Sequence, residues 1–206
     1  GWTDIVQVDK GPLPNPGGST GHASNFIFPV DHNKEMALLT LESQRQYEEM
    51  GTQTISGGIE VARDEVRLEE FRRRMTSAKA WDIDARLLTP AEIAELVPFI
   101  NTDVIIGGFY SPSVSVVDSL ETGTLMRRKA QEAGHLQVFA NTEVLDLETV
   151  EDAIGIPRID AVVTSRGRIV TDHVVIACGV WSNRLANMAG ATIPLTPTVH
   201  QMADVG

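Results

Sequence analysis

The sequence predicts an α/β fold: a layered sheet of parallel strands and helices, interrupted by a mixed α+β segment. Three observations carry this reading. Apolar runs stand near both ends, DIVQVD at residues 4–9 and HVVIACG at residues 173–179, and both have the texture of buried strands of one sheet. Between them helical and strand patterns alternate without an internal repeat. No GxGxxG occurs in the 206 residues, although a doubly wound sheet opens with a strand, a glycine-rich turn and a helix. Either the fold is not of that type, or the chain begins after its first βα unit.

The elements follow in order. DIVQVD is a short apolar run ending in an acid, and the glycine and proline cluster at residues 11–18 breaks regular structure after it. Residues 34–50 carry Met36, Leu39, Ser43, Tyr47 and Met50 at helical spacing, with Gly51 placed to end the helix. GGIEVAR at 57–63 predicts a strand, and residues 64–80 a helix that turns Leu68, Phe71, Met75 and Ala78 to one face. TPAE at 89–92 spells a capping box with proline at the first helical position, and Pro98 ends that helix. IIGGFY at 105–110 predicts another strand. Asp118 and Glu121 form a second capping pair, for a helix that Gly134 terminates. From Leu136 the texture turns to strands: LQVFA, TEVLDLE, RIDAVVT, and RIV after a turn at Gly167. After HVVIACG, Ser182 is placed to cap a short helix reaching about Ala189.

Composition removes several function classes. A net charge of −11 argues against nucleic acid, whose phosphates need clustered Lys and Arg. The one basic cluster, Arg72-Arg73-Arg74, lies in a helix rich in acids and is expected to be a solvated face. A single cysteine, Cys178, excludes a disulfide framework and suits a reducing, cytoplasmic setting. No apolar run approaches the ~20 residues of a membrane helix. His32, His135 and His173 sit at turns or strand ends with no partner at metal-ligand spacing, so no metal site is expected. Cys178 lies within an apolar run and is expected to be a small core residue.

Two features invite a functional reading. Asp9 ends the first strand of this chain, and an acid at the end of a second strand is where a dinucleotide fold holds the ribose hydroxyls of an adenosine, although strand-ending Asp is also a common turn former. The loop GGSTGHAS at residues 17–24 sets one imidazole, His22, among small residues that let a large ring approach the backbone.

DIVQVDKGPLPNPGGSTGHAS, GGIEVA, LLTPAE, VVIACGVWS and IPLTPTVHQ follow one another in the order seen in FAD-dependent flavoproteins of the D-amino-acid oxidase class. The sequence resembles most of all dimethylglycine oxidase and the dimethylglycine and sarcosine dehydrogenases, over nearly its whole length. The resemblance implies an FAD-binding Rossmann-like domain, lacking its first βα unit, interrupted by an α+β substrate domain. It implies FAD-binding residues 1–33 and 135–195, and substrate-domain residues 34–134 and 196–206. It also implies a covalent bond from His22 to the 8α-methyl of FAD, with Asp9 and Lys10 at the adenosine ribose. Ser19, Thr20 and Gly21 would line the flavin approach, Phe26 would pack beside the cofactor, and Val144 would meet the adenine through its backbone. Neutral imidazole is a competent nucleophile near pH 7, which agrees with the role implied for His22.

In PTVHQM, His200 stands where the resembled enzymes have an active-site histidine that orients the amine and assists its deprotonation. Here Met202 replaces a tyrosine of that pattern, and Val114 and Ser115 stand in place of the Asp-Gly of a Pro-x-Asp-Gly turn. The implied reaction is oxidation of the N-methyl C–N bond of a small amino acid such as dimethylglycine or sarcosine, by hydride transfer to flavin. Folate would enter through a C-terminal region of the resembled enzymes, and the chain is expected to be an internal piece whose partners are the remaining parts of the same polypeptide. Two alternatives stay open: another amine or amino acid oxidase of this fold, and a non-catalytic remnant that binds a nucleotide or a partner subunit.

Overall fold

The computed structural model describes residues 1–23, 25–31 and 33–199. In chain order the strands of the first half are β1 (Ile5–Val8), β2 (Phe26–Ile27), β3 (Gln53–Ile55), β4 (Gly58–Ala62), β5 (Arg86–Leu88), β6 (Gly107–Ser111) and β7 (Ser115–Val117). They are followed by β8 (Leu136–Phe139), β9 (Val144–Glu151), β10 (Pro157–Thr164) and β11 (Gly167–Val170). The α-helices are α1 (Lys34–Met50), α2 (Glu65–Ala80), α3 (Pro90–Leu96), α4 (Ser119–Glu132) and α5 (Ser182–Met188). The fold is mixed α/β. The chain divides into two compact units, one made of Gly1–His22 with the described residues from Met126 onward, the other of Ala23–Leu125.

In the first unit β1 lies parallel to β8, with Ile5 opposite Leu136 and Val8 opposite Phe139. Parallel strands need a long crossover, and here the crossover is everything between the two strands. The rest of this unit is an antiparallel sheet in the order β11, β10, β9. Val162 faces Leu147 across its ladder and both are buried on one side of the sheet, while the adjacent Ala161, also buried, points to the other. Ala186 of α5 is also buried.

The apolar run 173–179 forms no strand. It alternates between half-buried and exposed, Val175 is 91% exposed, and no described strand pairs with it. An apolar run becomes a covered strand only when strands or helices lie against it, and sequence alone cannot supply that neighbour. Helix α5 starts at Ser182, yet no side chain caps it; a 3₁₀ turn over Gly179–Trp181 feeds straight into the helix instead.

The second unit holds two antiparallel sheets, in the orders β2-β7-β3 and β4-β6-β5. Its core joins Phe71 and Ala78 of α2 to Phe109 of β6, Ala62 of β4 and Ala37 of α1, all essentially buried. Local chemistry sets the helix ends. Asp64 Oδ1 accepts from Arg67 N at 2.9 Å, Thr89 and Glu92 form the reciprocal capping box, and Asp118 Oδ1 accepts from Glu121 N at 2.8 Å. Gly51 ends α1 at φ 72°, where a side chain would be strained. The inner face of α1 differs from the predicted one. Ala37, Leu41 and Gln44 turn inward, while Met36 and Leu39 are 45% and 62% exposed. The hydrophobic spacing suited two faces, and packing took the one with the small Ala37.

Candidate functional site

Asp9 follows β1 directly, at the carboxyl end of a parallel strand, where open α/β sheets gather ligands. Its main chain is fully engaged: Asp9 N donates to Phe139 O at 3.1 Å, and Asp9 O accepts from Thr142 N at 2.7 Å. Asp9 Oδ1 accepts from Gly11 N at 2.8 Å, an Asx turn that starts the glycine-rich loop. Among the described residues no hydrogen bond reaches the second carboxylate oxygen. The loop is held again by Asn141 N, which donates to Gly11 O at 3.0 Å.

Lys10 is exposed and donates to Glu143 Oε1 at 2.9 Å. The Lys10 ammonium holds the Glu143 carboxyl below the usual carboxylate range. Asn141, Thr142 and Glu143 were not singled out from the sequence, because nothing local marks a segment that clamps a loop so far away in the chain.

Ser19, Thr20 and Gly21 form a single 3₁₀ turn, closed by His22 N donating to Ser19 O at 3.1 Å. Ser19, Thr20 and His22 are exposed. Two of the loop's glycines serve the loop itself. A Cβ on Gly11 would lie 2.5 Å from Pro16 O, and one on Gly21 would lie 2.7 Å from Asn15 Oδ1. Over Gly17 and Gly18 the space is open, which leaves bare backbone facing outward beside the turn that leads to His22.

Val144 opens β9, an edge strand of its sheet. Its neighbour Glu143 takes the Ser165 N–H at 2.8 Å, so Val144 occupies the wide position of its pair with Thr164. In that position its own N–H and C=O point away from β10, toward the free edge. Asp9, Lys10, the turn with His22, and Val144 all belong to the first unit, whereas Phe26 lies in the second, half exposed on β2. His200 lies outside the described residues, as does His32.

Cys178 is half-buried, and burial pushes its thiol pKa up, with the Asp9 charge adding in the same direction. Among the described residues no three His, Cys, Asp or Glu side chains cluster as metal ligands, and no helix is long and apolar enough to cross a membrane.

Residues 1–205 match the family model DAO, described as FAD dependent oxidoreductase. The chain is 34% identical over 191 residues to mitochondrial sarcosine dehydrogenase of Mus musculus, covering 89% of this chain and 21% of that protein. It is 27% identical over 211 residues to mitochondrial dimethylglycine dehydrogenase of Mus musculus, covering 98% of this chain and 23% of that protein. The chain thus spans about a fifth of the length of these curated relatives. Among solved structures, L-proline dehydrogenase from P. horikoshii shares the fold with a TM-score of 0.77 at 23% identity, over 92% of this chain and 56% of that one.

Proposed function

The chain belongs to the DAO family of FAD-dependent oxidoreductases, and we propose that it forms the FAD-binding and part of the substrate-binding region of an amine oxidoreductase. In this reading residues 1–33 and 135–195 belong to a Rossmann-like FAD domain, and residues 34–134 and 196–206 to the substrate domain. The substrate is a small N-methylated amino acid such as sarcosine or dimethylglycine. The observation that carries the reading is Asp9: a carboxylate at the end of a parallel strand, with one oxygen fixing the glycine-rich loop that leads to His22.

The donor set fits an adenine dinucleotide. The second Asp9 oxygen has no described partner and can accept from ribose hydroxyls, with Lys10 beside it. Val144 offers a backbone donor and acceptor on a free edge, as an adenine ring requires. Ser19, Thr20 and Gly21 give a low wall along the approach, and Phe26 offers an apolar ring. His22 presents an exposed imidazole for covalent attachment to the flavin. His200 orients the amine and takes up its ammonium proton on an imidazole nitrogen. When bound, FAD supplies two-electron oxidation of the C–H bond next to nitrogen, and the resulting iminium hydrolyses or passes its one-carbon unit to folate.

The test is made on the full-length gene product that contains these residues. Protein that is yellow after acid precipitation, and whose His22 peptide carries the mass of flavin, supports the reading; His22→Ala should leave only flavin that acid releases. Holoenzyme whose His22 peptide is unmodified removes the covalent role.

A further inference from the structure

We propose that Phe28, seated on Gly58, is the positioning residue that sets the ring of Phe26; the proposal rests on the reading above, in which Phe26 packs beside the flavin. Strand β2 is only Phe26–Ile27, and it pairs with one neighbour, Phe26 opposite Val116 and Ile27 opposite Ser115. So short an edge strand does little to orient a ring that is 49% exposed. Residues two apart in extended chain share a face. The Phe26 and Phe28 rings do meet, with centroids 5.5 Å apart and planes tilted by 30°.

Phe28 cannot retreat. A Cβ on Gly58 would lie 2.9 Å from Phe28 Cζ and 2.7 Å from Val114 Cγ1, so the ring fills the space that only a glycine leaves. Val114 is fully buried, and its carbonyl accepts from both Ser56 N and Gly57 N at 3.0 Å, which makes the seat rigid. On the far side Val30 is buried and its carbonyl accepts from Arg74 Nη2 at 3.2 Å. The segment is pinned behind Phe26, and the pinned ring of Phe28 passes its orientation to the exposed one. This gives GGIEVA a role beyond strand formation: its second glycine, Gly58, admits the aromatic pair.

The test uses the full-length gene product loaded with FAD, comparing Phe28→Leu, Gly58→Ala and the double variant. Phe28→Leu should speed amide exchange of peptide 25–30 by ~10-fold or more and reshape the visible circular dichroism of the flavin, with flavin content unchanged. Gly58→Ala should do the same by displacing the ring, and adding it to Phe28→Leu should change little more, because both act through one contact. Where Gly58→Ala does not fold, Phe28→Tyr, which adds an oxygen at the Cζ abutting Gly58, takes its place. Unchanged exchange, or faster exchange with unchanged dichroism in flavin-loaded protein, overturns the proposal. Wild-type protein that takes up no flavin removes the functional reading instead, and exchange in peptide 25–30 then decides the seat by itself.

Discussion

The Lys10 ammonium and the Glu143 carboxylate, 133 positions apart in sequence, meet at 2.9 Å and tie the chain just after β1 to the chain just before β9. Both side chains face solvent, so the pair adds little to stability and serves mainly to fix where Lys10 sits. Glu143 titrates below the usual carboxylate range, so its contribution is present above the unfolded-state pKa and is lost as pH falls through the lower folded-state value. Glu143→Gln should lower Tm by ~2 °C or less at pH 7 in low salt. The difference should vanish in acid and in 1 M salt. A difference that grows on acidification would contradict the pairing.

Asp9 and Cys178 give a second handle. Burial is the main reason the Cys178 thiol titrates above its ordinary value, and the Asp9 charge adds to it. Asp9→Asn removes that charge, so the thiol should ionise at lower pH and react faster with iodoacetamide at pH 8. Under the functional reading the same variant, made in the His22→Ala background where flavin is held without a covalent bond, should weaken FAD binding by ~10-fold or more, the scale for losing a hydrogen bond to a charged group. An unchanged alkylation rate, measured by intact mass against time, would place Asp9 away from the thiol.

Thr122 and Thr52 test the core of the second unit. Their hydroxyl oxygens lie 2.8 Å apart, and both residues are buried. Thr122→Val keeps the shape but removes a hydroxyl, so among the described residues the Asp118 carbonyl retains only the Thr122 N–H at 2.9 Å and the Thr52 hydroxyl only its long 3.4 Å bond to Tyr47 O. The expected cost is ~1 kcal/mol in urea unfolding, the net worth of one hydrogen bond, whereas Thr122→Ser should cost less.

His200→Gln probes the proposed acid–base residue directly. In the full-length gene product it should slow amine-dependent flavin reduction by ~10²-fold while flavin content stays constant. Rapid-mixing absorbance at the flavin band reads both quantities. Unchanged reduction with a lowered Tm would assign His200 to the fold.

What could be read from sequence was what is decided locally. The Thr89–Glu92 box and the Asp118 cap are made by residues three apart, and the composition of both segments announces them. The Asp9 carboxylate and the glycine-rich loop were legible for the same reason. Strands β2, β3, β5 and β7 were not, since two or three residues carry no period and each is defined by a partner elsewhere. The inward turn of Gln44 on α1 was hidden as well, because it is fixed by bonds of 2.8 Å to Ser113 O and 3.1 Å to Ser115 Oγ on the turn before β7 and at its start. The clamp from Asn141 to Glu143 on the Asp9 loop depends on register between β1 and β8, which no local pattern encodes.

The run at residues 173–179 bears on how this polypeptide behaves in the tube. Its Val175 is almost wholly exposed, and among the described residues β1 pairs with β8 alone, which leaves its other side open. An unpaired apolar segment next to an open edge is a template onto which other molecules stack, as in the first steps of amyloid growth. A preparation restricted to these residues is therefore prone to aggregate with rising concentration, and its handling calls for dilution, low temperature and a solubilising fusion partner.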